Sequence, residues 1–565
     1  MAFSEKSEPT SDVLTELEVK VTMRDGIRLS TNIYRPDAEG KIPAILVRTP
    51  YGNGGAENNT GHFYAKRGYA VLIQDTRGRF ESEGYFDPLR TEAEDGYDTQ
   101  QWVGSQSWCN GKIGTEGGSY VGFTQWLPAP LDSPYLTAMF PIVTFSGPYD
   151  DLIYIGGAFQ LALCVGWGSL VTTQPPEDLL HQDWQKYLRH LPLKNWDDVL
   201  GRRIQFLRDW IVHPDYDTYW TRGDITTKYH LIDTPVYNIG GWYDVFSKAT
   251  TENFRQMTLS GKTEEARKSQ KLLMGPWVHG ISQDGKVGDM DFGMNSVVNL
   301  QEIELRWFDY WLKGIDNGIM EEPPVRIFIM GENVWRDELE WPLARTIYTK
   351  YYLHSSGSAN TLNGDGELNT VLPTDEPTDR YVYDPENPVP TAGGNNLIPQ
   401  FTPAGPYDQR EVEKRGDVLV YTSPVLEDTV EVTGPITMTL YAASSATDTD
   451  FTAKLVDVHP DGYAQNLADG IIRARYRDSK TNPTLIEPNK IYKYTIDLWV
   501  TSNLFQVGHR IRVEVSSSNF PRFDRNPNTG HPFGQDDEMT KAEQIIYHDV
   551  QHPSYILLPV IPRIE

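Results

Sequence analysis

The pattern of hydrophobic and polar positions predicts alternating strands and helices in the first part of the chain. Apolar residues alternate on both sides of Asp25-Gly26 within residues 17–36, and this pair accepts positive φ, so the segment is predicted to be a β-hairpin. Apolar runs rich in β-branched residues then occupy 42–50 and 69–78, separated by a polar stretch of helical length. A charged helix is expected near 91–103, and further strands are expected at 112–115, 135–144, 234–240 and 270–275. This alternation predicts a doubly wound α/β sheet.

The pattern changes twice further along the chain. Residues 146–231 are rich in Trp and Leu and are predicted to be helical, as a cap inserted into the sheet fold. After an amphipathic helix at 299–315, runs such as DVLVYTSPVL and RIRVEVSSS alternate with turns, which is typical of an all-β domain. The Gly-, Asn- and Pro-rich stretch near 386–408 is predicted to be a long surface loop. The predicted division is an α/β core at 1–145 and 232–324, a helical cap at 146–231, and a β-sandwich or jelly roll at 325–565.

Composition and charge narrow the classes of function. The 565 residues exceed the roughly 250–300 residues that one hydrophobic core supports, so two or three domains are expected. A net charge of -27 repels phosphate backbones and anionic lipid, which argues against nucleic acid and membrane partners. The N-terminus lacks the basic start and apolar run of a secretory signal, so a cytoplasmic location is expected. The aromatic content of the β-rich part permits a homodimer without requiring one.

Neither the two cysteines nor the charged residues after the second apolar run are predicted to take part in catalysis or metal binding. Cys109 and Cys164 have no spacing that would ligate zinc, so neither a metal nor a cofactor is predicted. A further group of charged residues follows the second apolar run and is interpreted as a buried salt-bridge cluster that holds adjacent loops. Its members are Asp75, Arg77 and Arg79.

The strongest chemical signal is the segment GGSYVG at 117–122, which follows a predicted strand and precedes a predicted helix. A nucleophile at such a sharp turn has a strained backbone and requires small neighbours. Ser119 is therefore the candidate nucleophile. The second glycine comes one position later than in Gly-x-Ser-x-Gly, with Val121 in its place, and a glycine turn that happens to contain serine is the alternative interpretation.

Two later strands end in residues that would complete a catalytic triad. Asp244 ends the segment GGWYD and His279 lies in WVHG, each just past an apolar strand where parallel sheets build their sites. The order Ser, Asp, His is the order that α/β-hydrolases use. An N-cap role for Asp244 and a loop role for His279 are the alternatives. The three matches in the required order favour a triad, and with it an α/β-hydrolase core.

At these residues the chain resembles the CocE/NonD hydrolases, the group that contains cocaine esterase and the X-Pro dipeptidyl-peptidases. GGSYVG is similar to the Gly-x-Ser-Tyr-x-Gly elbow of that family, GWYD and GPWVHG to its acid and histidine segments, and RTPYG to its oxyanion loop. LRWFDYWLKG is similar to the helix after the histidine, and the resemblance covers essentially the whole chain. It implies an α/β-hydrolase core with an inserted helical cap and a C-terminal jelly roll. It also implies that the Tyr51 hydroxyl and the Tyr120 backbone N–H form the oxyanion hole.

The predicted function is a serine hydrolase that cleaves carboxylic esters through a covalent acyl-enzyme. An amide-cleaving member of the same family is the first alternative: an X-Pro dipeptidyl-peptidase, a β-lactam acylase or an α-amino-acid ester hydrolase. A carbohydrate-binding protein that uses the jelly roll is the second alternative. Four aromatic residues are candidates for the wall of an acyl or aryl pocket, although core packing explains them equally well. They are Phe159, Trp167, Trp242 and Trp277.

Overall fold

The structure of the protein is a computed structural model that describes residues 6–172 and 184–562. Strands and helices alternate in its first part, as the hydrophobic pattern predicts. The strands are β1 (Val13–Thr22), β2 (Arg28–Pro36), β3 (Ile42–Thr49), β4 (Ala70–Asp75), β5 (Cys109–Gly118), β6 (Leu136–Ile142), β7 (Tyr154–Ile155), β8 (Ala158–Phe159), β9 (Val236–Gly241), β10 (Gln270–Gly275), β11 (Lys286–Val287), β12 (Met290–Asp291), β13 (Val325–Ile329) and β14 (Val334–Glu338). The helices are α1 (Asn59–Ala65), α2 (Glu92–Gly104), α3 (Tyr120–Trp126), α4 (Leu161–Thr172), α5 (Trp184–Leu188), α6 (Gln205–Val212), α7 (Thr218–Thr221), α8 (Ser247–Ser260), α9 (Glu264–Lys268) and α10 (Leu300–Phe308).

Ten of these strands form one mixed sheet in the order β1-β2-β4-β3-β5-β6-β9-β10-β13-β14. β1 and β2 are the antiparallel hairpin predicted around Asp25-Gly26. From β4 through β10 the neighbouring strands run parallel. β4, β9 and β10 are buried along their whole length, as is typical of parallel strands with both faces covered. The carboxyl ends of β5, β9 and β10 therefore meet at one edge of the sheet.

The strands β13 and β14 differ from the predicted boundary at residue 324. β13 pairs in parallel with β10, and β14 returns antiparallel to β13, so both extend the first sheet. α10 and the π-helical turn Asp309–Lys313 provide the crossover that parallel pairing requires. Alternating hydrophobicity identifies a strand but does not specify which sheet it joins.

The segment between β6 and β9 is mainly helical, and α4 lies at its centre. α4 is buried along most of its length because it packs against Leu207 of α6 on one side and against Ile398 and Phe401 of the C-terminal part on the other. The indole ring of Trp167 in α4 stacks on Tyr120 at 5.6 Å and on Trp210 at 6.2 Å. The helical prediction for 173–183 falls outside the described residues. No helix in the described ranges is both long and apolar enough to span a membrane.

In its described residues, the C-terminal part contains eleven strands and one short α-helix. They are β15 (Ile347–His354), β16 (Glu367–Asn369), β17 (Asp379–Tyr383), α11 (Arg410–Glu413), β18 (Leu419–Thr422), β19 (Val430–Ser444), β20 (Asp450–Val458), β21 (Ala464–Arg473), β22 (Tyr492–Phe505), β23 (Arg510–Ser516), β24 (Ala542–Tyr547) and β25 (Tyr555–Ile561). The sheet order is β17-β24-β19-β25-β15-β16-β18-β23-β20-β21, and β22 pairs with β19. The prediction of a C-terminal β-rich domain is confirmed.

β20 and β21 are buried on both faces. One face contributes to the core of the C-terminal part, and the other lies against the first part of the chain. There the Tyr243 hydroxyl donates to the Asn466 carbonyl at 3.0 Å, and the Arg473 N–H donates to the Gly156 carbonyl at 2.9 Å. The C-terminal part therefore packs directly on the loop that follows β9 and on the turn between β7 and β8.

The stretch 386–408 is not the surface loop that its composition predicts. Asn395 and Asn396 are only 4 % and 3 % exposed. Backbone hydrogen bonds between Gly394 and Gly405 close the stretch on itself. Its Gly- and Asn-rich composition supports a buried connection, because side-chain amides supply the hydrogen bonds that a strand or helix would otherwise provide.

Candidate active site

Ser119 lies at the turn between β5 and α3 in a strained conformation. Its φ of 60° and ψ of -128° are rare for a residue other than glycine. The Ser119 N–H donates to the Ile142 carbonyl at 2.9 Å, and the Ser119 carbonyl accepts from the Thr144 hydroxyl at 2.6 Å. These bonds hold the strained backbone from both sides. A strained serine between a strand and a helix is the geometry of a nucleophile elbow.

The glycines around Ser119 explain the displaced motif. A Cβ on Gly117, which has a φ of +128°, would lie 2.3 Å from Cγ1 of Val121. A Cβ on Gly122 would lie 2.6 Å from Cβ of Thr144. At Gly118 the nearest atom would be 3.4 Å away, an ordinary contact. Positions 117 and 122 must therefore be small, whereas 118 need not be, which accounts for the glycine at 122.

Asp244 and His279 meet at the same edge of the sheet. Nδ1 of His279 lies 2.7 Å from Oδ1 of Asp244. Burial raises the pKa of Asp244, whereas the charge and hydrogen bond of His279 lower it. A carboxylate on Nδ1 favours the imidazole form whose Nε2 accepts a proton. The Phe246 ring lies 5.4 Å from the His279 ring and also lines the cavity beside Ser119, so one side chain adjoins both the Asp–His pair and the space next to the serine.

Tyr51 lies beside Ser119. Its hydroxyl accepts a hydrogen bond from Nε1 of Trp167 at 2.9 Å. Although 42 % of the residue is exposed, burial of its hydroxyl end raises the pKa of Tyr51, while hydrogen bonding to Trp167, the charge of Arg79 and the proximity of Ser119 lower it. Because Trp167 donates to the phenol oxygen, the O–H of Tyr51 remains available to donate. The phenol therefore faces the side chain of the candidate nucleophile.

The backbone N–H and the side chain of Tyr120 have different surroundings. Tyr120 is the first residue of α3, so its N–H has no acceptor within the helix. Its hydroxyl donates to Oε1 of Glu92 at 2.9 Å and accepts from the Leu89 N–H at 3.1 Å. Glu92 in turn pairs with Arg48 at 3.0 Å, and both side chains are buried. This network fixes the Tyr120 ring, and it was not recognised from the sequence.

A small apolar cavity of about 20 Å³ adjoins Ser119. Its lining in the described part of the chain contains no charged side chain: Leu89, Ser119, Tyr120, Phe145, Leu152, Leu163, Trp167, Trp210, Phe246 and Leu397. Trp167 was predicted for this wall. Phe246 was not, although it stands two residues after Asp244. Leu397 comes from the C-terminal part, and no local sequence signal indicates its approach.

The other three predicted pocket aromatics lie elsewhere. The indole N–H of Trp242 donates to the Phe328 carbonyl at 2.7 Å, and that of Trp277 donates to the Ser296 carbonyl at 3.0 Å. Phe159 packs between Tyr154 and a ring of the C-terminal part, and its backbone N–H donates to Asp524. All three are core residues, the alternative interpretation. Each buried indole N–H requires an acceptor, and these two find it away from the cavity.

The predicted salt-bridge cluster is only partly formed. Arg77 binds Asp95 and Asp25, as expected. Arg79 instead donates to the carbonyls of Pro50 and Val171, and so joins the residue before Tyr51 to α4. Asp75 forms no ion pair among the described residues, and burial raises its pKa to about 7 although the backbone of Asn53 and Glu81 and the charge of Arg79 oppose the shift. Arg79 therefore acts on Asp75 through its charge alone, while its hydrogen bonds go to the loop that carries Tyr51 and to α4.

Comparison with known proteins extends this picture to the whole chain. A family model described as X-Pro dipeptidyl-peptidase (S15 family) matches residues 25–281, and one described as X-Pro dipeptidyl-peptidase C-terminal non-catalytic domain matches residues 317–557. The chain is 41 % identical to cocaine esterase from Rhodococcus sp. (strain MB1 Bresler), over 96 % of this chain and 98 % of that protein.

Two solved structures are similar over nearly the same extent. One is an aminopeptidase from a marine sediment archaeon, Thaumarchaeota archaeon, with a TM-score of 0.85 and 26 % identity, covering 99 % of this chain and 98 % of that one. The other is an α-amino acid ester hydrolase, with a TM-score of 0.83, 26 % identity and the same coverage. The α/β-hydrolase fold is thereby confirmed, and the protein is a serine hydrolase that acts on ester bonds. Its identity to a curated relative over almost the full length of both chains shows that it belongs to the CocE/NonD family of serine hydrolases.

Proposed function

We propose that the protein is a carboxylesterase whose catalytic triad is Ser119, His279 and Asp244. The 2.7 Å contact between Nδ1 of His279 and Asp244 is the observation that carries the proposal. With Nδ1–H held by the carboxylate, Nε2 of His279 accepts the Ser119 proton as Oγ attacks the acyl carbon. The imidazolium then protonates the leaving alkoxide. Water, activated by the same nitrogen, releases the acid from Ser119.

The oxyanion of the tetrahedral intermediate would be stabilised by the Tyr51 hydroxyl and the Tyr120 N–H. The Trp167 N–H occupies the Tyr51 oxygen as an acceptor, which directs the Tyr51 O–H elsewhere and increases its acidity. One preorganised donor of this kind contributes on the order of 3–4 kcal/mol to transition-state stabilisation. Tyr51 and Trp167 would therefore act together, the first on the substrate and the second on Tyr51.

The lining of the cavity favours a substrate whose acyl group is uncharged and aromatic. Tyr120, Trp167, Trp210 and Phe246 contribute rings to its wall, and rings pack favourably on rings. Cocaine, the ester in the name of the 41 % identical relative, carries a benzoyl group of this kind. An α-ammonium group would enter this wall without a carboxylate partner, at a cost of several kcal/mol.

An enzyme that acts on α-amino acyl groups is the second candidate. The similarity to an aminopeptidase and to an α-amino acid ester hydrolase, at TM-scores of 0.85 and 0.83, favours it. The triad chemistry would be the same. The two candidates differ in whether a carboxylate lies within reach of the α-position of the acyl group, and the uncharged wall of the described cavity favours the first.

Fluorophosphonate labelling followed by peptide mapping tests the triad. We expect one adduct on Ser119, which is absent in Ser119→Ala and forms far more slowly in His279→Ala. Ser105→Ala removes an exposed serine outside the site and is expected to label like the wild type. An adduct on another serine, or no adduct on folded wild type, would contradict the proposal.

A matched pair of substrates tests the acyl group. Methyl phenylacetate and methyl phenylglycinate differ by one α-ammonium group. We expect kcat/KM to favour the uncharged ester by a factor on the order of 100, the equivalent of about 3 kcal/mol for the unpaired charge. A preference for the amino ester would establish the second candidate instead.

Three further expectations from the sequence accompany this proposal. They are a cytoplasmic location, a homodimer that the sequence permits without requiring, and the division at residues 145 and 231, with the start of the C-terminal domain moved from 325 to the end of β14 because β13 and β14 join the first sheet. Light scattering coupled to size-exclusion chromatography tests the dimer. Limited proteolysis with mass mapping tests the division, and cleavage clustered near these boundaries is expected.

A further inference from the structure

A second group of chemically active side chains lies in the C-terminal part, where β20 and β23 run antiparallel. Asp457 stands opposite Ile511, and Val458 stands opposite Arg510. One step further along this register, His459 comes opposite His509. Because side chains alternate along a strand, Asp457 and His459 share a face with each other and with His509. None of the three lines the cavity beside Ser119.

The distances within this group suit a metal ion. One candidate ligand atom from each of Asp457, His459 and His509 lies within 4.8 Å of the others. Nδ1 of His509 is 2.8 Å from Oδ1 of Asp457, and the two imidazole rings are 4.5 Å apart. Zinc binds imidazole nitrogen and carboxylate oxygen at about 2.0–2.2 Å, so its ligand atoms lie roughly 3–4 Å apart. The longest of these separations would have to close by roughly 1–2 Å, and the 2.8 Å pair of His509 and Asp457 would open slightly, for the three atoms to bind one ion.

The backbone already holds both histidines in place. The His459 N–H donates to the Tyr463 carbonyl at 2.8 Å, and the His459 carbonyl accepts from the Gly462 N–H at 2.9 Å. The His509 N–H donates to the Gln506 carbonyl at 3.1 Å. Ligands that are fixed before binding lose little conformational entropy when the ion arrives, which favours affinity.

Asp457 is a buried carboxylate without a permanently charged partner. It is 2 % exposed. Within the described ranges its one ion pair is with His509, and the side-chain amide of Asn503 donates to its second oxygen at 3.2 Å. A buried carboxylate is costly unless a cation or hydrogen bonds compensate it. A divalent cation between Asp457 and the two imidazoles would supply that compensation.

We propose that Asp457, His459 and His509 form a binding site for a divalent transition metal, with Zn²⁺ as the best match. Two imidazoles and one carboxylate form a donor set typical of zinc, whereas Ca²⁺ and Mg²⁺ prefer oxygen ligands alone. A water molecule would complete a tetrahedral shell. The spacing along the sequence did not predict this site, because His509 and Asp457 are 52 residues apart and strand register unites them.

The site is joined by hydrogen bonds to the loop that carries Asp244. Nε2 of His459 lies 3.2 Å from Oε1 of Gln465, and Nε2 of Gln465 donates to the Tyr243 hydroxyl at 3.1 Å. Metal-bound imidazoles ordinarily have such an outer partner, which orients the ring. Tyr243 directly precedes Asp244. Bound metal would therefore brace the contact between the C-terminal part and this loop, whether or not Asp244 serves the triad.

Zinc titration of the full chain tests the site. After dialysis against EDTA, isothermal titration calorimetry with Zn²⁺ is expected to give one ion per chain and a raised melting temperature. His459→Gln and His509→Gln should each lower the affinity at least about 10-fold. His531→Gln removes an exposed histidine that pairs with Asp536, and it should bind zinc like the wild type.

X-ray absorption of the zinc-loaded wild type provides a second measurement that needs no variant. Nitrogen and oxygen ligands at about 2.0–2.1 Å, with scattering from two imidazoles, are expected. Sulfur ligation would assign the ion to Cys109 or Cys164 and overturn the proposal. Absence of stoichiometric binding, or affinity that survives both histidine substitutions in variants with wild-type circular dichroism, would also overturn it.

Discussion

The side-chain amide of Asn395 donates a hydrogen bond to the backbone carbonyl of Asp244 at 2.8 Å. The same nitrogen donates to the Trp242 carbonyl at 2.9 Å and lies 3.3 Å from the Ser247 hydroxyl. Asn395 belongs to the C-terminal part, whereas Asp244 follows β9 of the α/β sheet. The C-terminal part therefore holds the loop that carries Asp244 directly, in addition to supplying Leu397 to the cavity wall.

Asn395→Ala is expected to lower both stability and turnover. It removes the donor from two buried carbonyls, which costs about 1–3 kcal/mol in the free energy of unfolding. The loop that carries Asp244 also loses a restraint, and Asp244 orients His279. The resulting misalignment of His279 should reduce kcat on the order of 10-fold while KM changes little. Steady-state kinetics on a phenyl ester, together with urea denaturation, measure the two effects.

Asn396→Ala is the matched control for this prediction. The Asn396 amide donates to the carbonyls of Gly393 and Pro403, within its own stretch of chain. A comparable loss of stability with kcat close to the wild type is expected. Equal losses of kcat in both variants would assign the effect to the folding of residues 386–408 rather than to the bond with Asp244.

The sequence is most informative about the elements that place the site. Strands of the parallel sheet are recognisable in the sequence as apolar runs. Because the carboxyl ends of parallel strands meet at one edge of the sheet, the topology alone brings together residues such as Asp244 and His279. The strained φ of Ser119 likewise follows from the need for a sharp turn between β5 and α3. These inferences rest on local patterns that repeat in every sheet of this type.

The walls of the site are less predictable. Trp242 and Trp277 adjoin the acid and histidine segments in sequence but face other cores, because neighbours along a chain need not share a face. Asn395 lies 151 residues from Asp244, so their contact depends on how two parts of the chain pack. The site formed by Asp457, His459 and His509 depends on strand register in the same way. No local pattern encodes such long-range contacts.

Tyr51→Phe is expected to reduce kcat with little change in KM. The substitution keeps the ring and removes the O–H that would stabilise the oxyanion, which forms only in the transition state. The loss should be about 10²- to 10³-fold in kcat. Tyr85→Phe removes the hydroxyl of a 61 % exposed tyrosine and should leave kcat unchanged. Retained activity in Tyr51→Phe would mean that other donors stabilise the oxyanion.

Gly122→Ala and Gly118→Ala are expected to differ sharply although they lie four residues apart. The added methyl group at 122 would lie 2.6 Å from Cβ of Thr144 and push α3 away from the elbow. Overpacking of this kind costs about 1–3 kcal/mol and should slow fluorophosphonate labelling. The methyl group at 118 meets nothing closer than 3.4 Å, so labelling close to the wild-type rate is expected. Equal rates in both variants would show that the elbow tolerates bulk at 122.

Glu116 on β5 and Glu304 on α10 carry neighbouring carboxyl groups, of which that of Glu304 is buried and that of Glu116 is on a half-buried residue whose carboxyl end points inward. Burial raises the pKa of Glu116 from 4.5 to about 7. Burial also raises the pKa of Glu304, and the charge of Glu116 adds to that shift. In the described chain, Oε1 of Glu304 has no hydrogen-bond partner. When the pKa of a carboxyl group is higher in the folded than in the unfolded state, the folded protein holds the proton more tightly. The free energy of unfolding then falls as the pH rises from the pKa of the unfolded state to the pKa of the folded state.

Glu304→Gln should therefore stabilise the protein in a pH-dependent way. The amide keeps the shape of the side chain and removes the repulsion between the two carboxylates. We expect the free energy of unfolding to exceed that of the wild type by on the order of 1–2 kcal/mol at about pH 8, and the difference to shrink towards about pH 5, where the native pair holds its protons. Urea denaturation followed by Trp fluorescence across this range measures the difference.

Glu302→Gln is the matched control, because Glu302 lies on the same helix with 48 % of its side chain exposed. It should shift the free energy of unfolding equally at both pH values. A Glu304→Gln profile parallel to that of the wild type would mean that the pair is already ionised in the native state and does not cause the pH dependence.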